Sequence, residues 1–171
     1  MKLSRHVVVV LAVLAIGAAS DVAFFRNTGL HERAPQVGYT LLDGQQGSIE
    51  GLRGKVVLVN FWATSCVSCV KEMPKMVETY KKFAPRGYEM IAVAMSYDHP
   101  NQVAAFAASH RLPFKVALDG DGAIAKGFGE VRATPVSFVI DREGRILRRY
   151  LGEPEWSELH ALLDKALGDP V

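Results

Sequence analysis

Apolar positions along the chain change period several times, and each change marks an element. Lys55 to Phe61 (KVVLVNF) is a nearly continuous β-branched apolar run, the pattern of a strand buried on both faces. Val67 to Phe83 carries apolar residues at Val70, Met73, Val77, Tyr80 and Phe83, spaced three or four apart, and predicts a helix. Tyr88 to Met95 predicts a second buried strand, Asn101 to His110 a helix, Phe114 to Leu118 a short strand and Ala123 to Phe128 a short helix. Val136 to Ile140 and Ile146 to Tyr150 predict a hairpin joined by Asp141-Arg142-Glu143-Gly144. Glu155 to Leu167 predicts a closing helix with Pro154 near its start. Strands that alternate with helices and finish in a hairpin predict an α/β fold: a three-layer α/β/α sandwich with a central mixed sheet.

The N-terminus follows a different pattern. Lys2, Arg5 and His6 form a positive start, and an uninterrupted apolar run follows from Val7 to Ala19. That run has signal-peptide length and falls short of the roughly 18 residues of a spanning helix. It almost resumes at Val22-Ala23-Phe24-Phe25, and Ala18 and Ser20 suit the two small-residue positions of a cleavage site. Residues 1–26 therefore read as a cleaved signal or a retained anchor in the inner membrane. A lipid anchor is excluded because no cysteine lies near the segment. Residues 27–36 are polar and aperiodic, a linker, and 37–171 form one domain. Either fate of the N-terminus exports that domain, which places it in the periplasm.

Composition narrows the classes. The chain has 171 residues, 49% hydrophobic and 22% charged, which suits one globular domain with an ordinary core. Its net charge of +2 is spread without a basic stripe, so nucleic acid is not an expected partner. Only two cysteines are present, which excludes a disulfide scaffold.

Those cysteines, Cys66 and Cys69, form C-x-x-C where the strand ending at Phe61 hands over to the helix. Unpaired backbone N–H groups and the helix dipole at that point stabilise a thiolate. Residues three apart on a helix have Cα atoms roughly 5 Å apart, within disulfide range. The pair can therefore open and close with little backbone movement, with Cys66 as nucleophile and Cys69 as resolving thiol. A structural disulfide and a copper site completed by His99 or His110 are the competing readings. Zinc would need further ligands that the sequence lacks.

The segment FWATSCVSCVKEMP (Phe61 to Pro74) resembles the thioredoxin superfamily, and within it the exported TlpA/ResA/CcmG branch of thiol-disulfide oxidoreductases. LRGKVVLVNFWA (Leu52 to Ala63) is also typical of that branch, and the resemblance covers about Pro35 to Leu167. It implies a thioredoxin-like fold in which Pro74 kinks the active-site helix and Thr134-Pro135 is a cis pair facing the cysteines. It implies that the backbone beside Thr134 pairs with an extended substrate segment, that Trp62 is an aromatic near the site that helps bind the substrate with Thr134 and Pro135, and that Glu72 tunes thiol acidity and moves a proton. Asn60 stands where cytoplasmic thioredoxins carry a buried aspartate, which leaves more of the proton transfer to Glu72. Ser65 and the inter-cysteine pair Val67-Ser68 depart from the common pattern at positions that influence the potential.

Asp119-Gly120-Asp121-Gly122 imitates the start of a calcium loop, but Ala123 and Ile124 occupy positions that need a ligand and a glycine. The expected function is a periplasmic protein-disulfide reductase with no cofactor and no metal. By resemblance its substrate is apocytochrome c or a copper-site protein. With no glutathione pool behind it, it would need a membrane electron donor. A Cu(I) carrier and a disulfide-donating oxidase are the alternatives, and both use the same thiols.

Overall fold

The computed structural model describes residues 32–168. The apolar segment 1–26 and residues 27–31 of the expected linker lie outside the described residues. Seven strands form one mixed sheet: β1 (Gly38–Leu41), β2 (Gln46–Ser48), β3 (Val56–Trp62), β4 (Tyr88–Ala94), β5 (Lys115–Leu118), β6 (Val136–Ile140) and β7 (Ile146–Leu151). Their order across the sheet is β2-β1-β5-β4-β3-β6-β7. The two strands with the most apolar runs sit at its centre. β3 pairs in parallel with β4 and antiparallel with β6, and every residue of β3 and β4 is buried. Four α-helices, α1 (Val67–Phe83), α2 (Pro100–Ser109), α3 (Ala123–Gly127) and α4 (Trp156–Leu167), and two short 3-10 turns, Glu50–Leu52 and Ala84–Arg86, complete the described chain.

Alternation along β3 divides the core in two. Val56, Leu58 and Trp62 join Met73 and Met76 of α1, Val103 of α2 and Leu159 and Leu163 of α4 on one face. Val57, Val59 and Phe61 point to the other face, where they meet Ile124 and Ala125 of α3 together with Phe128 and Phe138. On that face Phe61 packs edge-on against Phe128 and Phe138, at 5.5 and 6.1 Å between ring centres. These layers match the expected thioredoxin-like sandwich.

The strands and helices read from the pattern appear within a residue or two, and the first hairpin is the element the pattern missed. β1 and β2 are four and three residues long and contain Gly38 and Gly47. Such short pieces show no period, and tertiary pairing of β1 with β5 makes them strands. The last residues of the expected linker also do structural work. Ile146 donates its N–H to the Glu32 carbonyl at 2.7 Å, and Ala34 donates to Gly144 at 2.9 Å. The calcium-like run is a turn: the Asp119 carboxylate accepts the N–H groups of Ile124 and Ala125, both at 2.9 Å, and starts α3.

Candidate active site

β3 ends inside the core at Trp62, and the chain turns through Ala63 to Ser65 before α1 begins. Cys66 is the residue that opens α1, with its N–H on the Ala63 carbonyl at 3.1 Å. Its Sγ accepts the N–H of Cys69 at 3.2 Å, and the Ser68 hydroxyl lies 3.5 Å away. The two cysteines are joined as a disulfide with Cα atoms 5.2 Å apart. Cys66 is half-buried and Cys69 fully buried, so Cys66 is the cysteine of the pair that a partner can reach. When the bond opens, the N–H of Cys69 and the helix dipole favour a thiolate on Cys66.

Glu72 follows Cys69 by one helical turn, which puts the two on the same face of α1. It is fully buried, not solvated. Its Oε1 accepts from the Asn60 amide of β3 at 3.1 Å. The same amide donates to the Ser137 hydroxyl of β6 at 3.0 Å, and the sheet register sets Asn60 directly opposite Ser137. Glu72 Oε2 and Asn60 Oδ1 find no hydrogen-bond partner among the described residues. Burial pushes the Glu72 carboxyl up to about 7; the Asn60 hydrogen bond opposes that rise and the charge of Glu153 adds to it. A carboxyl so placed can exchange a proton near neutral pH.

Pro135 precedes β6, whose first residue, Val136, pairs with Phe61 near the end of β3. The Thr134–Pro135 bond therefore lies at the same end of the sheet as Cys66, and it is cis. The Pro135 carbonyl accepts the N–H of Gly152 at 2.9 Å, which ties this loop to the end of β7. Pro74 lies inside α1, which runs through it to Phe83. Without an N–H it leaves the Val70 carbonyl without its helical partner.

The Redoxin family model matches residues 30–166 of this chain. The chain belongs to the Redoxin family. Among its relatives is the thiol-disulfide oxidoreductase ResA of Bacillus cereus, 33% identical over 96% of this chain and 98% of its own. A thiol:disulfide interchange protein of the thioredoxin family from Chlorobium tepidum has a similar structure. Its TM-score is 0.72 and its identity 27%, over 80% of this chain and 97% of that one. A Neisseria meningitidis protein described as a thioredoxin gives a TM-score of 0.73 and 36% identity, over 79% of this chain and 90% of that one. The protein is thus a thioredoxin-fold thiol-disulfide oxidoreductase that acts on a protein substrate, with Cys66–Cys69 as its redox pair.

Not every residue expected at the site of this Redoxin-family enzyme reaches it. Trp62 is fully buried and packs on Phe106 of α2, 5.1 Å between ring centres. Strand alternation points its ring into the core, so it offers no surface to a substrate, which corrects the docking role expected for it. His99 and His110 do not join the cysteines. His99 accepts the Asn101 N–H at 3.3 Å at the start of α2, and His110 stacks on Phe106 at 3.9 Å. Among the described residues no group of three or more His, Cys, Asp or Glu is placed to hold a metal ion.

Three residues of this end of the molecule escaped the sequence reading. Ser137 sits inside an apolar strand, and its polarity there was the available signal. Tyr97 and Asp98 follow β4 with no motif to mark them. The Asp98 carboxylate accepts the Thr64 N–H at 2.5 Å and the Thr64 hydroxyl at 2.7 Å, and Tyr97 Oη lies 3.4 Å from Thr134 Oγ1.

Proposed function

We propose that the protein is an exported protein-disulfide reductase. The observation that carries this is half-buried Cys66 at the start of α1, with the Cys69 N–H 3.2 Å from its sulfur and a buried carboxyl, one oxygen unpartnered, one turn on. In the reduced enzyme the Cys66 thiolate attacks one sulfur of a substrate disulfide. That S–S bond breaks, a mixed disulfide forms, and the leaving sulfur takes a proton. Glu72 accepts the proton of Cys69, whose thiolate attacks Cys66. The second substrate sulfur leaves as a thiol, and the Cys66–Cys69 disulfide remains. Two electrons have passed to the substrate, and a membrane electron donor must return them. Thr134 and Pro135 supply the edge on which an extended substrate segment pairs.

Residues 1–26, as signal or anchor, support a periplasmic site of action, and no helix among the described residues is long and apolar enough to cross a membrane. Apocytochrome c and copper-site proteins are the substrates we favour, by the resemblance to the TlpA/ResA/CcmG branch alone. The reduction potential of the Cys66–Cys69 couple tests the direction. A value below roughly −230 mV is expected, and one near roughly −120 mV would make the protein an oxidant of its partners. Cys66→Ala should abolish disulfide reduction, and near-normal turnover in that variant would defeat the assignment.

A further inference from the structure

The redox pair and the cis-proline loop leave one neighbour unexplained. Among the described residues the large apolar side chains standing most in solvent are Val67, Tyr97 and Leu151, at 85, 61 and 73% exposure. A single exposed apolar residue is ordinary. Here two of the three belong to the segments around the redox pair. Val67 directly follows Cys66, and Tyr97 reaches Thr134 with its hydroxyl 3.4 Å from Thr134 Oγ1.

Topology says what that reach means. β4 and β6 flank β3 on opposite sides, so their ends stand roughly 10 Å apart at ordinary strand spacing. Tyr97 follows β4 and Thr134 precedes β6. The Tyr97 side chain therefore crosses the end of β3, where the Ala63–Cys66 turn leaves the sheet. Its main chain is fixed on both sides. Met95 donates its N–H to the Trp62 carbonyl at 3.0 Å, and Asp98 donates its own to Met95 at 2.9 Å. The Asp98 carboxylate then grips Thr64, two residues before Cys66. One short turn thus ties the cysteine loop and presents an aromatic ring beside the cis-proline loop.

We propose that Tyr97 is a specificity-determining residue, whose ring receives a large apolar side chain next to the disulfide cysteine of an extended protein substrate. The inference rests on the thiol-disulfide exchange proposed above. Ser65, Val67, Ser68 and Thr134 bring no charged side chain to this rim, so an apolar flank suits the Tyr97 ring. A rigid aromatic ring orders at low entropic cost, which makes it an effective anchor. Asp98 is the positioning residue that keeps ring and nucleophile in one frame.

The experiment mixes the full reduced chain with two peptides that each hold one internal disulfide. The peptides differ only in a leucine or an aspartate beside the cysteine, and glutathione disulfide serves as a control without an apolar flank. The rate of Cys66–Cys69 oxidation is followed. The wild type should prefer the leucine peptide by roughly tenfold. Tyr97→Ala should remove that preference by slowing the leucine peptide alone, with the glutathione disulfide rate and the reduction potential unchanged. Tyr97→Phe should keep it. Tyr97→Glu should turn the preference towards a third peptide with a lysine flank. Equal wild-type rates for the two peptides would overturn the inference while exchange itself stands. So would a Tyr97→Ala variant that keeps the preference, or one that slows glutathione disulfide equally. A wild type that reacts with neither peptide would overturn both the inference and the exchange reading beneath it.

Discussion

At the scale of single residues, Glu72 shows how a site keeps a costly group. Its carboxyl is buried against the Asn60 amide, with one oxygen unpartnered, and its folded pKa of about 7 stands above the ordinary 4.5. A raised carboxyl favours the folded state fully below its unfolded pKa, and that advantage is lost as pH rises towards 7. Glu72→Gln keeps an acceptor for Asn60 and removes the charge. It should stabilise the oxidised protein at pH 8 by up to about 3 kcal/mol and change little at pH 4, as read by urea unfolding at both values. The same variant should slow the resolving step, because Cys69 loses its proton acceptor. Cys66, Cys69, Glu72 and Pro135 were legible in the sequence because their spacing from one another is local or set by the family pattern. Ser137 was not, since 77 residues separate it from Asn60 and only the β3–β6 register brings them together.

At the scale of elements, the β6–β7 hairpin was read correctly from its turn, and the structure explains its strength. Asp141 Oδ1 accepts the N–H groups of Glu143 and Arg145 at 3.0 and 2.8 Å, and Oδ2 accepts from Arg145 Nε at 2.7 Å. Gly144 closes the turn with a φ of +78°, open to glycine at no steric cost. Burial alone would raise the Asp141 carboxyl, but these donors and the Arg145 charge hold it below the usual range. Its contribution is therefore present above the unfolded carboxylate pKa and fades as pH falls through the lower folded value. Asp141→Ala should cost roughly 2 kcal/mol at pH 7 and less at pH 3, measured by chemical unfolding. The β1–β2 hairpin did not show in the pattern. Asp43-Gly44 marks its turn, but strands of four and three residues offer too few alternating positions to show a period, and pairing with β5 supplies what local propensity does not.

At the scale of the whole molecule, the segment ahead of β1 joins the sheet from outside the run of regular elements. Glu32 and Ala34 hydrogen-bond to Ile146 and Gly144, and Arg33 bridges to Arg145, so this stretch lies along the turn of the β6–β7 hairpin and the start of β7. A shortened chain beginning at Gln36 loses those two hydrogen bonds. It should be roughly 1–2 kcal/mol less stable in urea than one beginning at Glu32, while Cys66 keeps its reactivity towards small disulfides. An equal midpoint for both chains would show that the segment adds nothing to the fold.

The sequence by itself determined the strand–helix alternation, the central place of KVVLVNF and the thiol pair at a helix start. Each of these depends on residues within a few positions of one another, where periodicity and helix geometry act. Tertiary structure alone decided that Trp62 faces the core and Glu72 is sealed from water, that Asp98 grips Thr64 and that Tyr97 reaches Thr134. Those outcomes depend on which strands become neighbours, and strand order is set by the burial of the whole sheet, which no local pattern encodes.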